Sequence, residues 1–273
     1  MADERFAFGK NWHNFVDTNL DDDRVEISRR YLLDFLERDD LNGVRFLDIG
    51  CGSGIHSLAA VRSGAAEVFS FDYDADSVAA TRAVKDAKAR DAVNWHIERG
   101  SVLDEDYMAK LGQYPLVYSW GVLHHTGDLW RAIRNACTCV EPGGLLYIAL
   151  YSADMHVDPP AEFWIDVKKR YVAGGAIKRN WMMLWYLWRF SLGKNPRRVP
   201  ELMRTMRDYR KSRGMSYLTD VRDWIGGWPM EFSRDQDVID LLRDELGFEV
   251  VKQKTGEANT EYLFRLGTKP ASA

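Results

Sequence analysis

The pattern of apolar and polar positions divides the chain into a part that alternates strand with helix and a part that is helical alone. The short apolar run Phe46, Leu47 and Ile49 breaks at Gly50, Gly52 and Gly54, and helical spacing starts at Ile55. This predicts a buried strand over Arg45–Ile49, a tight turn, and a helix to about Ser63 that Gly64 stops. Upstream, Val25, Tyr31, Leu32, Phe35 and Leu36 form an apolar stripe on a helix from about Asp22 to Arg38, which should cover one sheet face. Downstream, strands are predicted over Glu67–Phe71, Val93–Glu98, Pro115–Trp120 and Leu145–Tyr151, the last entered through a Glu141-Pro-Gly-Gly144 turn. An alanine-rich helix falls over Ala75–Arg90, and another, capped by Asp128, runs through Leu129, Ile133 and Cys137. Alternation at this spacing predicts a doubly wound α/β fold, a parallel sheet with helices on both faces. Ligands bind such sheets at the carboxyl ends of the strands.

From Ser152 to about Ser233 the strand pattern disappears, and helical segments carry Trp164, Tyr171, Trp181, Trp185, Trp188, Met203, Trp224 and Trp228. We read residues 152–232 as a helical cap inserted into a core made of residues 41–151 and 233–268. The core resumes with Ser233 as N-cap of a helix over Arg234–Leu246, then strands Phe248–Lys254 and Glu261–Leu266 joined at Gly256 and Asn259. A closing hairpin makes the last strand antiparallel. Residues 1–40 supply an arm rich in aromatics (Phe6, Phe8, Trp12, Phe15) and the first helix, together expected to act as a lid.

Composition adds limits. A chain of 273 residues with 46% hydrophobic and 29% charged content is that of an ordinary globular protein. It opens on no signal-like sequence and has no apolar run of spanning length, so a cytoplasmic location without a membrane span is expected. Three cysteines, Cys51, Cys137 and Cys139, without a C-x-x-C pair argue against disulfides and zinc, and Cys51 reads as a small turn residue. Charge is unevenly placed: from Lys168 to Arg213 there are 14 lysines and arginines against Glu201 and Asp208, a local balance of +12 in a chain of net charge −4. That block is either a solvated helical surface or a wall that receives an anion.

Three constellations carry candidate chemistry. Glycines 50, 52 and 54 let a ligand approach backbone amides, and Asp72, 22 residues beyond Gly50 at the next strand end, can accept both hydroxyls of a ribose. A dinucleotide fingerprint would need glycine where Ile55 stands, which places an NAD enzyme last. His124 and His125 follow the fourth strand, at the rim where a reacting group would lie, and a neutral imidazole suits a base. Asp154, His156 and Asp158 sit in a Pro-flanked loop and read as a solvated turn, so no metal site is expected. The aromatic stretch Trp181–Phe190 could be a membrane-surface helix, but a buried helix or the lining of an aromatic pocket is the expectation.

With these residues in place, the chain resembles the class I S-adenosylmethionine-dependent methyltransferases. The match consists of FLDIGCGSG, FSFDYD, GSVLDEDY, VYSWGVLHHTGD and EPGGLLYIALY, in that order over residues 44–151. The segment GMSYLTDVRDWIGGWPMEF also resembles a recurring tail of bacterial small-molecule members. The resemblance implies a seven-stranded, mostly parallel, Rossmann-like sheet with its last strand reversed, and S-adenosylmethionine as cofactor. It implies that Gly50, Gly52 and Gly54 lie against methionine and ribose, Asp48 near the methionine amino group, Asp72 on the ribose hydroxyls and Tyr73 beside adenine. Many members carry an aspartate where this chain has Ser101, so adenine recognition passes to Ser101, to the Val102 or Leu103 backbone, or to Asp104. Trp120, at the end of the fourth strand, joins the cofactor set. His125 is the expected base, with His124 nearer the cofactor.

The function expected is methyl transfer to a hydroxyl of a small or medium-sized acceptor, with an anionic group suggested by the basic block. A nucleic-acid methyltransferase and a cofactor-binding protein without turnover stand as alternatives; the acidic remainder of the chain and the lack of an RNA-binding module disfavour nucleic acid. The Trp-rich insertion could fold inward or bury itself against a second copy of the chain.

Overall fold

The structure is a computed structural model, and it describes residues 22–213, 216–256 and 258–268. Elements follow one another as α1 (Asp22–Leu36), β1 (Arg45–Ile49), α2 (Ile55–Arg62), β2 (Glu67–Asp72), α3 (Ala75–Lys88), β3 (Trp95–Arg99), α4 (Glu105–Leu111), β4 (Tyr114–Trp120), α5 (Leu129–Thr138) and β5 (Val140–Tyr151). After the helices α6 (Ala161–Val172), α7 (Ala176–Tyr186), α8 (Val199–Arg213) and α9 (Tyr217–Gly226) come α10 (Asp235–Asp240), β6 (Phe248–Thr255) and β7 (Asn259–Leu266). The sheet has seven strands in the order β3-β2-β1-β4-β5-β7-β6, with β7 antiparallel to both its neighbours. The doubly wound sheet with a reversed last strand is therefore as expected.

Both sheet faces are covered because successive strand residues point to opposite sides. Phe46, Val68, Tyr118 and Tyr147 pack with Leu32 and Phe35 of α1, Leu58 of α2 and Val84 of α3. Leu47, Phe71, Val117, Leu146 and Ile148 pack with Ile133 of α5 and Val238 of α10 on the other face. Phe35 stacks on Tyr147 with ring centroids 4.3 Å apart, so α1 is a packed cover of the sheet. The arm expected to act as a lid lies outside the described residues.

Three boundaries differ from expectation. β3 starts at Trp95, two residues later than predicted, because the Asn94 amide donates to the Ala65 and Ala66 carbonyls and turns the chain there. The Glu141-Pro-Gly-Gly144 segment lies inside β5, where Tyr114 pairs with Val140 and a register shift between Tyr114 and Leu116 absorbs the irregularity. Ser233 does not cap the following helix: Asp154 Oδ2 accepts the Asp235 amide at 2.9 Å, the helix starts at Asp235, and its last turn, Leu241–Glu245, is a π-turn.

The insertion builds a small core of its own from Trp164, Val167, Tyr171, Met183, Val221 and Ile225. It meets the sheet domain through Trp224, whose ring lies 5.5 Å from that of Tyr151 and 5.7 Å from that of His156. The expectation that Trp181–Phe190 is buried holds for one face only: Met183 is buried, while Trp181, Leu184 and Trp188 are exposed.

Candidate active site

The turn after β1 is stitched to the end of β2. Gly50 N and Cys51 N donate to the Phe71 carbonyl at 2.8 and 3.1 Å, Gly54 N to the Cys51 carbonyl at 2.8 Å, and Gly52 N to Asp72 Oδ2 at 3.0 Å. These amides are engaged within the protein, which leaves the turn poorly suited to a phosphate. The polar group that the turn presents is instead the Asp72 carboxylate, an acceptor. Gly50 has φ of 77°, and a Cβ there would lie 2.3 Å from Val122 Cγ1, so the turn closes only around a glycine. Cys51 is buried, its Sγ accepts from Thr81 Oγ1, and burial pushes its thiol well up, as fits a turn residue and not a nucleophile.

Asp72 also accepts from the Asp74 amide at 2.9 Å, and burial pushes its carboxyl up to about 6. Asp48 lies beneath the turn at 2% exposure, bonded to Ser57 Oγ, and burial with the nearby Asp72 charge pushes it up to about 7. Ser57 continues through Ser70 to the Trp95 indole, a buried polar chain that sequence did not reveal. Tyr73 stands on the rim with the Arg99 guanidinium 5.8 Å above its ring, and Arg99 Nε donates to its carbonyl.

On the adenine side, Asp104 caps α4 by accepting the Tyr107 amide, and the Val102 carbonyl accepts from Asn135. Ser101 Oγ accepts the Leu103 amide, which leaves its proton to donate. Tyr107, not anticipated, packs over Gly100, and its buried hydroxyl has no partner among the described residues. Such an orphaned hydroxyl against Gly100, at the end of β3, is a polar group that a purine's ring nitrogens or amino group could partner.

Trp120 is partly exposed, and its Nε1 donates to Glu261 Oε2 at 3.2 Å. Glu261 is 5% exposed and also accepts from the Tyr31 and Tyr147 hydroxyls. A carboxylate with three donors on the inward side of β7 was legible only as an acid on the wrong face of an alternating strand. His56 stacks on Trp120 at 6.4 Å; its Nδ1 is buried without a partner, and burial depresses the ring to about 4.

The two histidines of the Leu123–His125 turn differ in tautomer. His125 Nδ1 lies 2.7 Å from the Pro229 carbonyl, which can only accept, so Nδ1 carries the proton and Nε2 keeps the lone pair. For His124 the Tyr151 amide points at Nδ1 at 3.4 Å, which puts the proton on Nε2, buried and unpartnered among the described residues. The rings are 4.5 Å apart. Burial depresses both, His125 to about 4, and the neighbouring Lys168 adds to this. His124 rests against Tyr151 at the end of β5, and its carbonyl accepts the Glu231 amide.

Lys168 was read as part of a basic surface and is instead 1% exposed, with its amine on the Trp224 carbonyl and 4.2 Å from the Trp224 ring centroid. Burial lowers it to about 7. Its spacing, four residues past Trp164 and three before Tyr171 on α6, was the available signal. Asp154 caps α10 and His156 Nδ1 bonds the Ser152 carbonyl, so these two residues of the D-x-H-x-D run face separate partners.

A family model described as a methyltransferase domain matches residues 21–252. The chain belongs to this methyltransferase family. It is 28% identical over 155 residues to a ribosomal protein L11 methyltransferase of Pseudomonas putida, covering 50% of this chain and 49% of that protein. It is 30% identical over 143 residues to a ubiquinone biosynthesis O-methyltransferase of Parvibaculum lavamentivorans (50% and 52%), and 32% over 108 residues to a tRNA U34 carboxymethyltransferase of Methylococcus capsulatus (40% and 32%). The chain thus spans about half the length, or less, of these curated relatives. In fold it is similar to an O-methyltransferase family protein of Burkholderia thailandensis, with TM-score 0.55, 15% identity and coverage of 90% of this chain and 56% of that one. It is also similar to the magnesium protoporphyrin IX methyltransferase of Synechocystis PCC 6803 with bound SAH, with TM-score 0.52, 14% identity and coverage of 89% and 84%. The resemblance to class I methyltransferases is borne out, and with it the expectation of S-adenosylmethionine. Among the described residues no helix is long and apolar enough to cross a membrane.

Proposed function

We propose that the chain transfers a methyl group from S-adenosylmethionine to a hydroxyl of a small or medium-sized acceptor, with His125 as the base. The observation that carries this reading is the Pro229 carbonyl on His125 Nδ1, which fixes a lone pair on Nε2. The bound cofactor would supply a methyl group on a positively charged sulfur. Asp72 would hold its ribose, Ser101 and the Tyr107 hydroxyl would face its purine, and Asp48, Tyr73 and Trp120 would complete the wall. His125 Nε2 would take the acceptor's hydroxyl proton, and the His124 Nε2 proton would hold the same oxygen. His125 would carry the positive charge after the transfer. A ring that resists protonation in the free protein therefore takes its proton as the sulfonium charge disappears.

Residues 152–232 would close over the acceptor as a cap. An anionic group on the acceptor would rest on the exposed cations of the basic block, since Lys168, the member beside the histidines, is buried on the Trp224 carbonyl. The relatives carry names for a ribosomal protein, a tRNA and ubiquinone biosynthesis, so the family alone does not select the acceptor. The test is turnover of a panel of phenolic and hydroxyl acceptors by His125→Ala and His125→Gln. We expect kcat to fall about 100-fold or more, with S-adenosylhomocysteine affinity within a factor of about two. Unchanged kcat in both variants would return His125 to a packing role.

A further inference from the structure

We infer that the outer face of α7 docks the protein on an anionic lipid surface. The reading is independent of the methyl-transfer proposal. Ile177, Trp181, Leu184 and Trp188 follow one another at steps of four, three and four residues, which places them on one line of a helix. They are 78%, 68%, 57% and 44% exposed. Four large apolar side chains in a row are more than scattered surface hydrophobics.

The opposite side of the same helix already anchors it. Met183 is buried in the insertion's core, and Tyr186 and Phe190 lie 6.1 and 5.0 Å from Trp164, so the exposed line is not needed to hold the insertion together. Charge selects the occupant. From Val167 to Pro200 the chain holds nine lysines and arginines and no aspartate or glutamate. Of these, Lys178, Arg189, Lys194 and Arg197 are exposed on or beside α7. Tryptophan and leucine flanked by cations suit the boundary between acyl chains and negative headgroups.

A second copy of this chain fits poorly, because pairing the two faces would bring an excess of like charge together, with Asp158 the acid beside Arg189 and Lys194. A nucleic acid also fits poorly, since its backbone calls for cations on the contacting line itself, and that line is apolar. A hollow of about 700 Å³ beside Ile177, Lys178 and Trp181 opens on this same side.

The experiment is co-sedimentation of the full chain with vesicles of equimolar phosphatidylcholine and phosphatidylglycerol, against vesicles of phosphatidylcholine alone. Binding to the anionic vesicles only, weakened by salt, is the expected result. Trp181→Ser with Trp188→Ser should weaken partition about tenfold or more, and Lys178→Gln and Arg189→Gln about fivefold each. Far-UV circular dichroism and S-adenosylhomocysteine binding should stay unchanged; if the double variant misfolds, Trp181→Ser alone, at the most exposed tryptophan of the line, is read instead. Absence of binding to anionic vesicles, equal binding to both kinds, or unchanged partition of the tryptophan variant would each overturn the inference. So would a dimer in sedimentation velocity that the tryptophan variant converts to monomer.

Discussion

Lowering pH should weaken cofactor binding through Asp72 before it unfolds the protein. In the free protein this carboxyl is pushed up to about 6 because it is almost enclosed, and two backbone amides, Gly52 at 3.0 Å and Asp74 at 2.9 Å, only partly offset that burial. On the proposed reading ribose hydroxyls would donate to the ionised form, so binding would favour the carboxylate and affinity would be lost as pH falls through about 6. Below that value the Kd of S-adenosylhomocysteine should rise about tenfold per pH unit. Asp72→Asn removes both the charge and the bend. Its amide can accept from Gly52 or Asp74 but not from both, and the loss of charge-assisted bonds to the ribose should raise Kd about 10- to 100-fold at pH near 8. Calorimetric titration from pH 5 to 8 measures both effects. Asp48, pushed up to about 7, gives the competing explanation, because it too is buried and close to Asp72. If Asp72→Asn keeps the wild-type bend, the titrating group is not Asp72; if the wild type shows no bend, the burial argument itself is wrong.

Other consequences follow from buried groups. Lys168, lowered to about 7, stays neutral in the fold at pH values where the unfolded chain would protonate it, so stability should rise between pH 7 and 10 by up to about 1.4 kcal/mol per unit. Denaturant unfolding of Lys168→Met should show that rise abolished and stability at pH 7 no lower than wild type; a lower value would mean that the Trp224 contacts outweigh burial. Glu261→Leu should destabilise by about 2–4 kcal/mol in the same assay, because the Tyr147 hydroxyl and Trp120 indole lose their acceptor. At saturating cofactor, kcat/KM for the acceptor should show no acid limb near the ordinary histidine value, since His125 titrates near 4; a limb near 6.5 would show that the ring is solvated in the working enzyme.

The sheet was legible because its signals are local. FLDIG and FSFD are apolar runs ended by a glycine and an acid, LLYIAL is an unbroken apolar run, and pleating then settles which side each residue faces. Asp72 was legible for the same reason, as a carboxylate at a strand end at fixed distance from a glycine turn. Glu261, Tyr107 and Lys168 were not. Each is defined by what other segments bring to it: Tyr31, Tyr147 and Trp120 around Glu261, Gly100 beneath Tyr107, and Trp224 over Lys168. A lysine inside a basic block carries no mark of burial unless its helical neighbours Trp164 and Tyr171 are read with it. The Trp181–Phe190 stretch failed in the opposite direction, since tryptophan content predicts burial and takes no account of a helix with apolar residues on two faces.

The segment that closes the insertion is what gives the histidine turn its chemistry. Pro229 fixes the His125 tautomer, the Glu231 amide donates to the His124 carbonyl, and Glu231 Oε1 accepts the Leu129 amide at the start of α5. Three bonds from residues 229–231 thus span the turn from His124 to Leu129. Removing the insertion would take the Pro229 carbonyl from His125 Nδ1, so the tautomer of His125 depends on residues 229–231. This also explains why WPMEF follows the helical insertion in the chain: it lies where the polypeptide returns from the cap to the sheet, at Ser233, whose amide donates to the Tyr151 carbonyl at the end of β5. On the proposed reading the cap helices would select the acceptor and residues 229–233 would hold the His125 tautomer, so a change of cap helices that preserves Pro229–Ser233 should alter the acceptor and leave that tautomer intact.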